Sequence, residues 1–276
     1  MENPGTMLNL SSDPFRVFKA SKTPAGLYAR QKWLGEAGTP EWQDDFRRTV
    51  HSLLEGQSAD GSWNQSPLAG IRRLFGLHLT VRNATGEIER GLDWLMKRTL
   101  KPDAWGLAGP GEPLQSDAFR ELPFSPGQPC LSLACATLFL ASVFRKTDEP
   151  PVATHYRLLS RWVAANAGSA GAWSDRDNAL RAFVAHPRYT EHAATAALVD
   201  RLGQIQDPAG FWPDHVPFYR TLNALAHLRL EAANRQWIRV LKALSGKQNC
   251  DGTWGEADFE WNTFLVVHAL KSKACL

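Results

Sequence analysis

Three segments of the chain repeat one pattern, Gln-x-x-x-Gly-x-Trp, and each follows an apolar, helix-like run. The copies span residues 57–63, 206–212 and 248–254. Tryptophan is rare, and glycine marks positions where the backbone needs special freedom, so three copies in register indicate an internal repeat. A repeat on this scale constrains the fold more than any other feature of the sequence.

The spacing of the copies indicates two helices in each unit. Trp212 and Trp254 are 42 residues apart, as are Trp63 and the Trp105 of a partial copy. A second partial copy ends at Trp173, and the longer gap before it indicates an inserted loop. A period of about 40 residues with helical patterning is typical of stacked helical hairpins.

Apolar residues recur at helical spacing and predict eleven helices, with no segment of strand period. Amphipathic helices that end in the repeat alternate with more apolar helices that begin after it, which predicts an outer ring around a buried inner ring. The fold is therefore expected to be an all-α, α/α toroid of about five or six hairpins. The predicted helices cover residues 24–36, 41–56, 67–80, 87–100, 130–145, 153–167, 177–185, 190–204, 217–230, 232–245 and 260–272.

The length of 276 residues suits one large domain, predicted over 21–276, with a polar N-terminal segment at 1–20 and a loop insertion at 103–129. The net charge of +3 without a Lys/Arg run argues against nucleic acid as a partner. The polar N-terminus lacks a signal-peptide core, and the longest apolar run, 130–144, is too short to span a bilayer. The four cysteines lack zinc-ribbon spacing. A cytoplasmic location is expected, and peripheral membrane contact is left open.

The repeat resembles the "QW" motif of squalene–hopene and oxidosqualene cyclases, and similar repeats occur in protein prenyltransferase β-subunits. Residues 248–255 and 262–270 carry the resemblance most closely. It implies a terpenoid cyclase/protein prenyltransferase-like fold that holds an isoprenoid or other lipid-like small molecule in a central apolar cavity. The cyclases contain two such domains, whereas this chain is long enough for one. The repeat residues themselves are interpreted as structural: Gln bonds backbone groups at the next helix, Gly permits the turn, and Trp packs between helices.

In a toroid of this kind, the starts of the inner helices are expected to line the mouth of the cavity. Polar groups occur at four such starts, around residues 64–65, 175–178, 214–215 and 256–260. From these starts and the aromatic residues beside them we predict a substrate-binding set: Asn178, Phe183, Asp214, His215, Tyr219 and Trp261.

Residues 173–182 resemble the Asp-x-Asp-Asp stretch of class II terpene cyclases, whose middle Asp protonates an alkene or epoxide. The resemblance implies that Asp177 is the acid and Asp175 its partner, in a cyclisation or isomerisation that needs neither metal nor cofactor. Such an acid has to be held protonated in dry surroundings. Asn178 stands where the cyclases have another Asp. The alternative is that these acidic residues cap the start of a helix.

Two further alternatives remain open. Protein prenyltransferases bind zinc through an Asp-x-Cys pair and a distant His, and this sequence has no Asp-x-Cys. A zinc set could be drawn from Asp214, His215 and His227, or from Cys250 and His268, but we predict no metal. The second alternative is a non-catalytic toroid that binds a lipid or a protein partner, and a partner subunit that completes the site is also left open.

Overall fold

The computed structural model describes residues 8–102, 119–166 and 173–276, and over these ranges the chain forms eleven α-helices and no strand. The all-α prediction is confirmed. The helices are α1 (Pro24–Lys32), α2 (Pro40–Leu54), α3 (Pro67–Thr80), α4 (Gly86–Thr99), α5 (Pro129–Val143), α6 (Pro150–Asn166), α7 (Trp173–Ala185), α8 (Ala193–Ile205), α9 (Phe218–Ala226), α10 (Glu231–Ser245) and α11 (Phe259–Ser272). None of these helices is long and apolar enough to cross a membrane.

Local sequence explains where several helices begin and end. Thr23, Thr39 and Ser66 each precede a proline and accept a hydrogen bond from a backbone N–H in the first turn, which begins α1, α2 and α3. α9 is shorter than predicted because the N–H of His227 bonds the carbonyl of Ala224, a tightened turn that ends the helix. α7 begins at Trp173, four residues earlier than predicted.

The odd-numbered helices contact one another in a cycle that runs α1, α3, α5, α7, α9, α11 and back to α1. The even-numbered helices pack against this cycle, and α4, for example, contacts both α3 and α5. The sequence pattern accounts for this division. Leu131, Ala134 and Leu138 of α5 are buried, as is most of that helix, whereas α2 buries only Trp42.

The three complete repeats form equivalent turns. In each turn the Gln side-chain amide donates to the carbonyl of the Gly in its own repeat and to a backbone carbonyl of a neighbouring segment. This differs from the predicted contact with the start of the next helix. The pairs are Gln57 with Gly61 (3.1 Å) and Glu87 (2.9 Å), Gln206 with Gly210 (3.2 Å) and Gln236 (3.3 Å), and Gln248 with Gly252 (3.1 Å) and Ser12 (2.9 Å).

The tryptophans of the three repeats are buried, as predicted. Trp63 lies against Gly91 of α4, where an added Cβ would come within 2.9 Å of the indole. Trp254 is fully buried and donates from Nε1 to the carbonyl of Leu244, 3.2 Å away. The partial copy at Trp105, and the residues just before Trp173, lie outside the described residues.

The N-terminal segment takes part in the third repeat. Gln248 accepts a 2.9 Å hydrogen bond from the N–H of Ser11 and donates to the carbonyl of Ser12, where the other repeats use helices α4 and α10. The N–H of Leu8 also bonds the carbonyl of Cys275, 3.0 Å away, and Phe18 is fully buried. Residues 8–18 therefore pack beside the last repeat and join the two ends of the described chain.

Candidate functional site

A cavity of about 580 Å³ is lined by residues from all six odd-numbered helices. This volume falls within the range of pockets that hold drug-sized ligands, about 300–1,000 Å³. Much of the wall is aromatic or aliphatic, and it includes Tyr28 of α1, Phe75 of α3, Phe139 of α5, Val184 of α7, Leu265 of α11 and the Trp261–Phe264 pair of α11, whose rings stack 5.4 Å apart.

The polar part of the wall is basic. Arg82 and Arg145 follow the C-terminal ends of α3 and α5, and Arg181 comes from α7. Among the described residues that line the cavity there is no Asp and no Glu. In a site of low dielectric constant these three guanidinium groups favour a ligand with negative charge.

Three histidines also line the cavity, and each is neutral at pH 7. Burial lowers the pKa of His78 to about 4, with a smaller contribution from the charge of Arg82. Burial likewise lowers the pKa of His227 to about 3 and that of His268 to about 4. The His227 and His268 rings lie with their centroids 5.0 Å apart, and the side-chain amide of Asn223, a residue of α9, lies 3.4 Å from Nδ1 of His268 in α11.

Asp177 lies in the second turn of α7 and is buried. Its Oδ2 accepts a 2.9 Å hydrogen bond from the hydroxyl of Ser125. Burial raises the pKa of Asp177, and the charges of Arg181 and Arg220 oppose that shift. Asp177 is not among the described residues that line the cavity, although Arg181, one turn further along the helix, is among them.

The neighbours of Asp177 hold the same segment of chain. Asp175 accepts a 2.8 Å bond from the N–H of Gln128, and burial raises the pKa of Asp175. Asn178 bonds both the N–H and the carbonyl of Ser125, each at 2.8 Å. The capping interpretation is wrong for Asp177, because α7 begins at Trp173 and places it beyond the first turn. Nothing in the sequence pattern pointed to Ser125 or Gln128 as partners.

Residues 119–128 are the described part of the predicted loop insertion that precedes α5, and they contact the starts of α7, α9 and α11. Phe119 and Phe124 are fully buried there. Arg220, near the start of α9, donates to the carbonyl of Phe124 at 2.5 Å, and Arg120 pairs with Asp258 at the start of α11. These residues therefore lie over several of the helix starts that were expected to line an open mouth. Arg82 and Arg145 border the cavity from the opposite ends of their helices.

The other predicted site residues are dispersed. Trp261 lines the cavity, whereas Phe183 is buried and stacks on Tyr189 with centroids 5.2 Å apart. Asp214 and His215 are exposed in the turn before α9. Tyr219 is half-buried, and burial raises its pKa.

The sequence interpretation missed His78, Arg82 and Arg181. A polar residue inside an apolar helical run, such as His78, was the available signal.

Among the described residues, no group of three or more His, Cys, Asp or Glu side chains is arranged to hold a metal ion. In each of the two zinc sets considered from the sequence, some residues are exposed to solvent and others face the cavity. Asp214, His215 and Cys250 are exposed, while His227 and His268 face the cavity.

No protein-family model matches the sequence, and no curated protein is significantly similar to it. The residues and geometry of the cavity are therefore the basis for a functional proposal.

Proposed function

We propose that the chain is a single α/α toroid, similar in arrangement to the terpenoid cyclases, that binds an isoprenoid or similar lipid in its central cavity. One observation carries the proposal: all six odd-numbered helices contribute to one largely aromatic and aliphatic cavity. The cycle of contacts among these helices supports the toroid, because it surrounds a common centre. A cavity with this wall favours a long apolar ligand over a small polar metabolite.

The energetics of binding are consistent with such a ligand. Each CH₂ group removed from water contributes about 0.8 kcal/mol, so a chain of about ten carbons offsets the several kcal/mol lost on association. The faces of Phe75, Phe139 and Trp261 provide rigid contact area at little cost in side-chain entropy.

Protonation by Asp177 is a second candidate function. The observation that favours it is the burial of this carboxyl group, which raises its pKa. Lipid binding is the preferred function, because Oδ2 of Asp177 already accepts a hydrogen bond from Ser125. Proton transfer requires Asp177 to lie within hydrogen-bond distance of the substrate. An enzyme of this kind would need residues 119–128 to shift before Asp177 could contact a ligand.

Binding can be tested with farnesol and geranylgeraniol by following tryptophan fluorescence and thermal stability. Ala185 lines the cavity, so Ala185→Trp should fill it and abolish binding. Ala193→Trp introduces the same side chain at an exposed position of α8 and should bind as the parent does. If neither alcohol binds the parent, or if Ala185→Trp binds equally well, the proposal fails.

Catalysis needs a separate experiment. The parent and Asp177→Asn are incubated with a polyprenyl substrate, and products are measured by mass spectrometry. If Asp177 is the acid, turnover in the folded variant should fall by orders of magnitude while lipid binding persists. Retained turnover would exclude the acid role and leave the binding function intact.

A further inference from the structure

A second cavity lies beside the central one. It has a volume of about 250 Å³ and is lined by residues of α1, α2, α3 and α11 and by residues 120–122. Pro24, Leu53 and Leu122 contribute apolar wall, whereas the exposed side chain of Arg72 lies at its border with solvent. The second cavity therefore offers hydrocarbon surface that the central cavity does not include.

The two cavities share part of their walls. Phe75, Leu79 and Trp261 line both of them, and each of these side chains is at most 6% exposed. The rings of Phe75 and Trp261 meet edge to face, with centroids 5.9 Å apart. These three side chains therefore form a partition that has an apolar cavity on each side.

The residues that line the cavities follow in order along α3. Arg72 lines only the second cavity, and Val81, directly after the helix, lines only the central cavity. Phe75 and Leu79 lie between them in the sequence and line both. Because Arg72, Phe75 and Leu79 recur at helical spacing, they lie on one face of α3. The two cavities therefore follow one another along this helix, with the partition between them.

The central cavity reaches solvent at the end that lies away from the partition. Its exposed lining residues are Asn83 and Arg145, which follow the C-terminal ends of α3 and α5. A lipid chain that enters beside them runs toward the start of α3 and meets Phe75. The second cavity lies beyond that ring.

Building on the proposed lipid-binding function, we propose that Phe75 sets the length of the isoprenoid chain that the central cavity accepts. The apolar end of the chain lies against the partition of Phe75, Leu79 and Trp261. Phe75 is the member whose removal opens a path, because the ring of Trp261 is also stacked on Phe264, with centroids 5.4 Å apart. Each further CH₂ group that is buried adds to the affinity, so a path into the second cavity favours a longer chain.

Competition among alcohols of different length tests this role. The protein is incubated with equal amounts of farnesol, geranylgeraniol and geranylfarnesol and separated from free lipid by gel filtration, and the bound alcohols are quantified by mass spectrometry. Phe75→Ala should raise the ratio of bound geranylfarnesol to bound farnesol ten-fold or more above that of the parent. Phe75→Leu, a smaller truncation that disturbs folding less, should raise the ratio by a smaller factor.

Two further variants show whether the second cavity holds the longer chain. Phe183→Ala removes the same ring from a buried site that lines neither cavity, so it should keep the parent ratio. Leu53 is half-buried and lines only the second cavity. Leu53→Trp should fill that cavity, so combining it with Phe75→Ala should return the ratio to the parent value. Circular dichroism verifies that each variant is folded.

The outcomes separate the two proposals. If both Phe75 variants keep the parent ratio, or if Phe183→Ala raises it equally, Phe75 does not set the chain length, while the lipid-binding function stands. A double variant that keeps the raised ratio also overturns the inference, because the longer chain then does not use the second cavity. If the parent retains none of the alcohols, both proposals fail together.

Discussion

The hydroxyl of Ser125 donates a 2.9 Å hydrogen bond to Oδ2 of Asp177, and both residues are buried. This contact joins residues 119–128 to α7, and Asn178 strengthens it with two bonds to the backbone of Ser125. The acidic stretch of α7 therefore holds residues 119–128 in place, whichever further role it has.

The Ser125–Asp177 contact leads to the first prediction. Asp177→Asn keeps an acceptor for Ser125 and removes a buried charge, so we expect it to be at least as stable as the parent at pH 7. Asp177→Ala leaves the hydroxyl without that acceptor and should cost about 1–3 kcal/mol. The free energies of unfolding are measured with urea. Equal losses in both variants would contradict the expectation.

The same residue gives a pH dependence with a defined sign. Burial raises the pKa of Asp177 above 3.8, so the folded state binds its proton more tightly than the unfolded state. Proton binding by Asp177 therefore stabilises the folded state at low pH, and this stabilisation is lost as the pH rises above 3.8 and through the raised pKa. Asp177→Asn should remove this component, which a comparison of unfolding free energies between pH 3.5 and pH 7 detects.

The cavity histidines predict the opposite slope. The pKa of His78 and that of His268 are about 4 in the folded state, against 6.5 for an imidazole in water. Between pH 4 and pH 6.5 the unfolded state therefore binds more protons than the folded state. The contribution of these histidines to the free energy of unfolding is complete above pH 6.5 and falls progressively toward pH 4. His78→Gln should flatten this slope, whereas His51→Gln, at an exposed position, should leave it unchanged. Urea unfolding across the range provides the measurement, and a parent protein without the slope would refute the prediction.

The repeat glycines should not accept a side chain. Gly61, Gly210 and Gly252 have φ values of 92°, 96° and 92°, and an added Cβ would lie 2.2–2.3 Å from a backbone carbonyl oxygen of the neighbouring segment. We expect Gly→Ala at each to cost more than about 1 kcal/mol, since strain and a steric clash act together. Gly38→Ala is the control, because no atom lies within 4 Å of the new carbon. Thermal melts that match the parent in all three variants would rule out this role.

The repeat tryptophans should contribute more to the free energy of unfolding than an exposed aromatic residue does. Trp63, Trp212 and Trp254 are buried, and Trp→Ala at each is expected to cost about 3–5 kcal/mol through the cavity left behind. Phe259→Ala removes an aromatic ring that is 45% exposed and should have little effect. Differential scanning calorimetry compares the four variants, and comparable losses at Phe259 and the tryptophans would count against the repeat as the main structural element.

Sequence alone determined the local architecture. The helical spacing of apolar residues predicted all eleven described helices, and most boundaries differ by a few residues because such patterns depend only on neighbours within a turn or two. The repeats predicted buried tryptophans for a related reason: glycine at a left-handed position and a large indole leave few other arrangements.

Only the tertiary structure decided which distant residues meet. Arg82, Arg181 and His268 come from three distant parts of the chain and share one cavity, and no spacing in the sequence relates them. Residues 119–128 bond to α7 and α9, so the predicted acidic stretch is buried beneath them. Periodicity reports which face of a helix is apolar, whereas the position of a polar side chain within a cavity depends on how all the helices pack together.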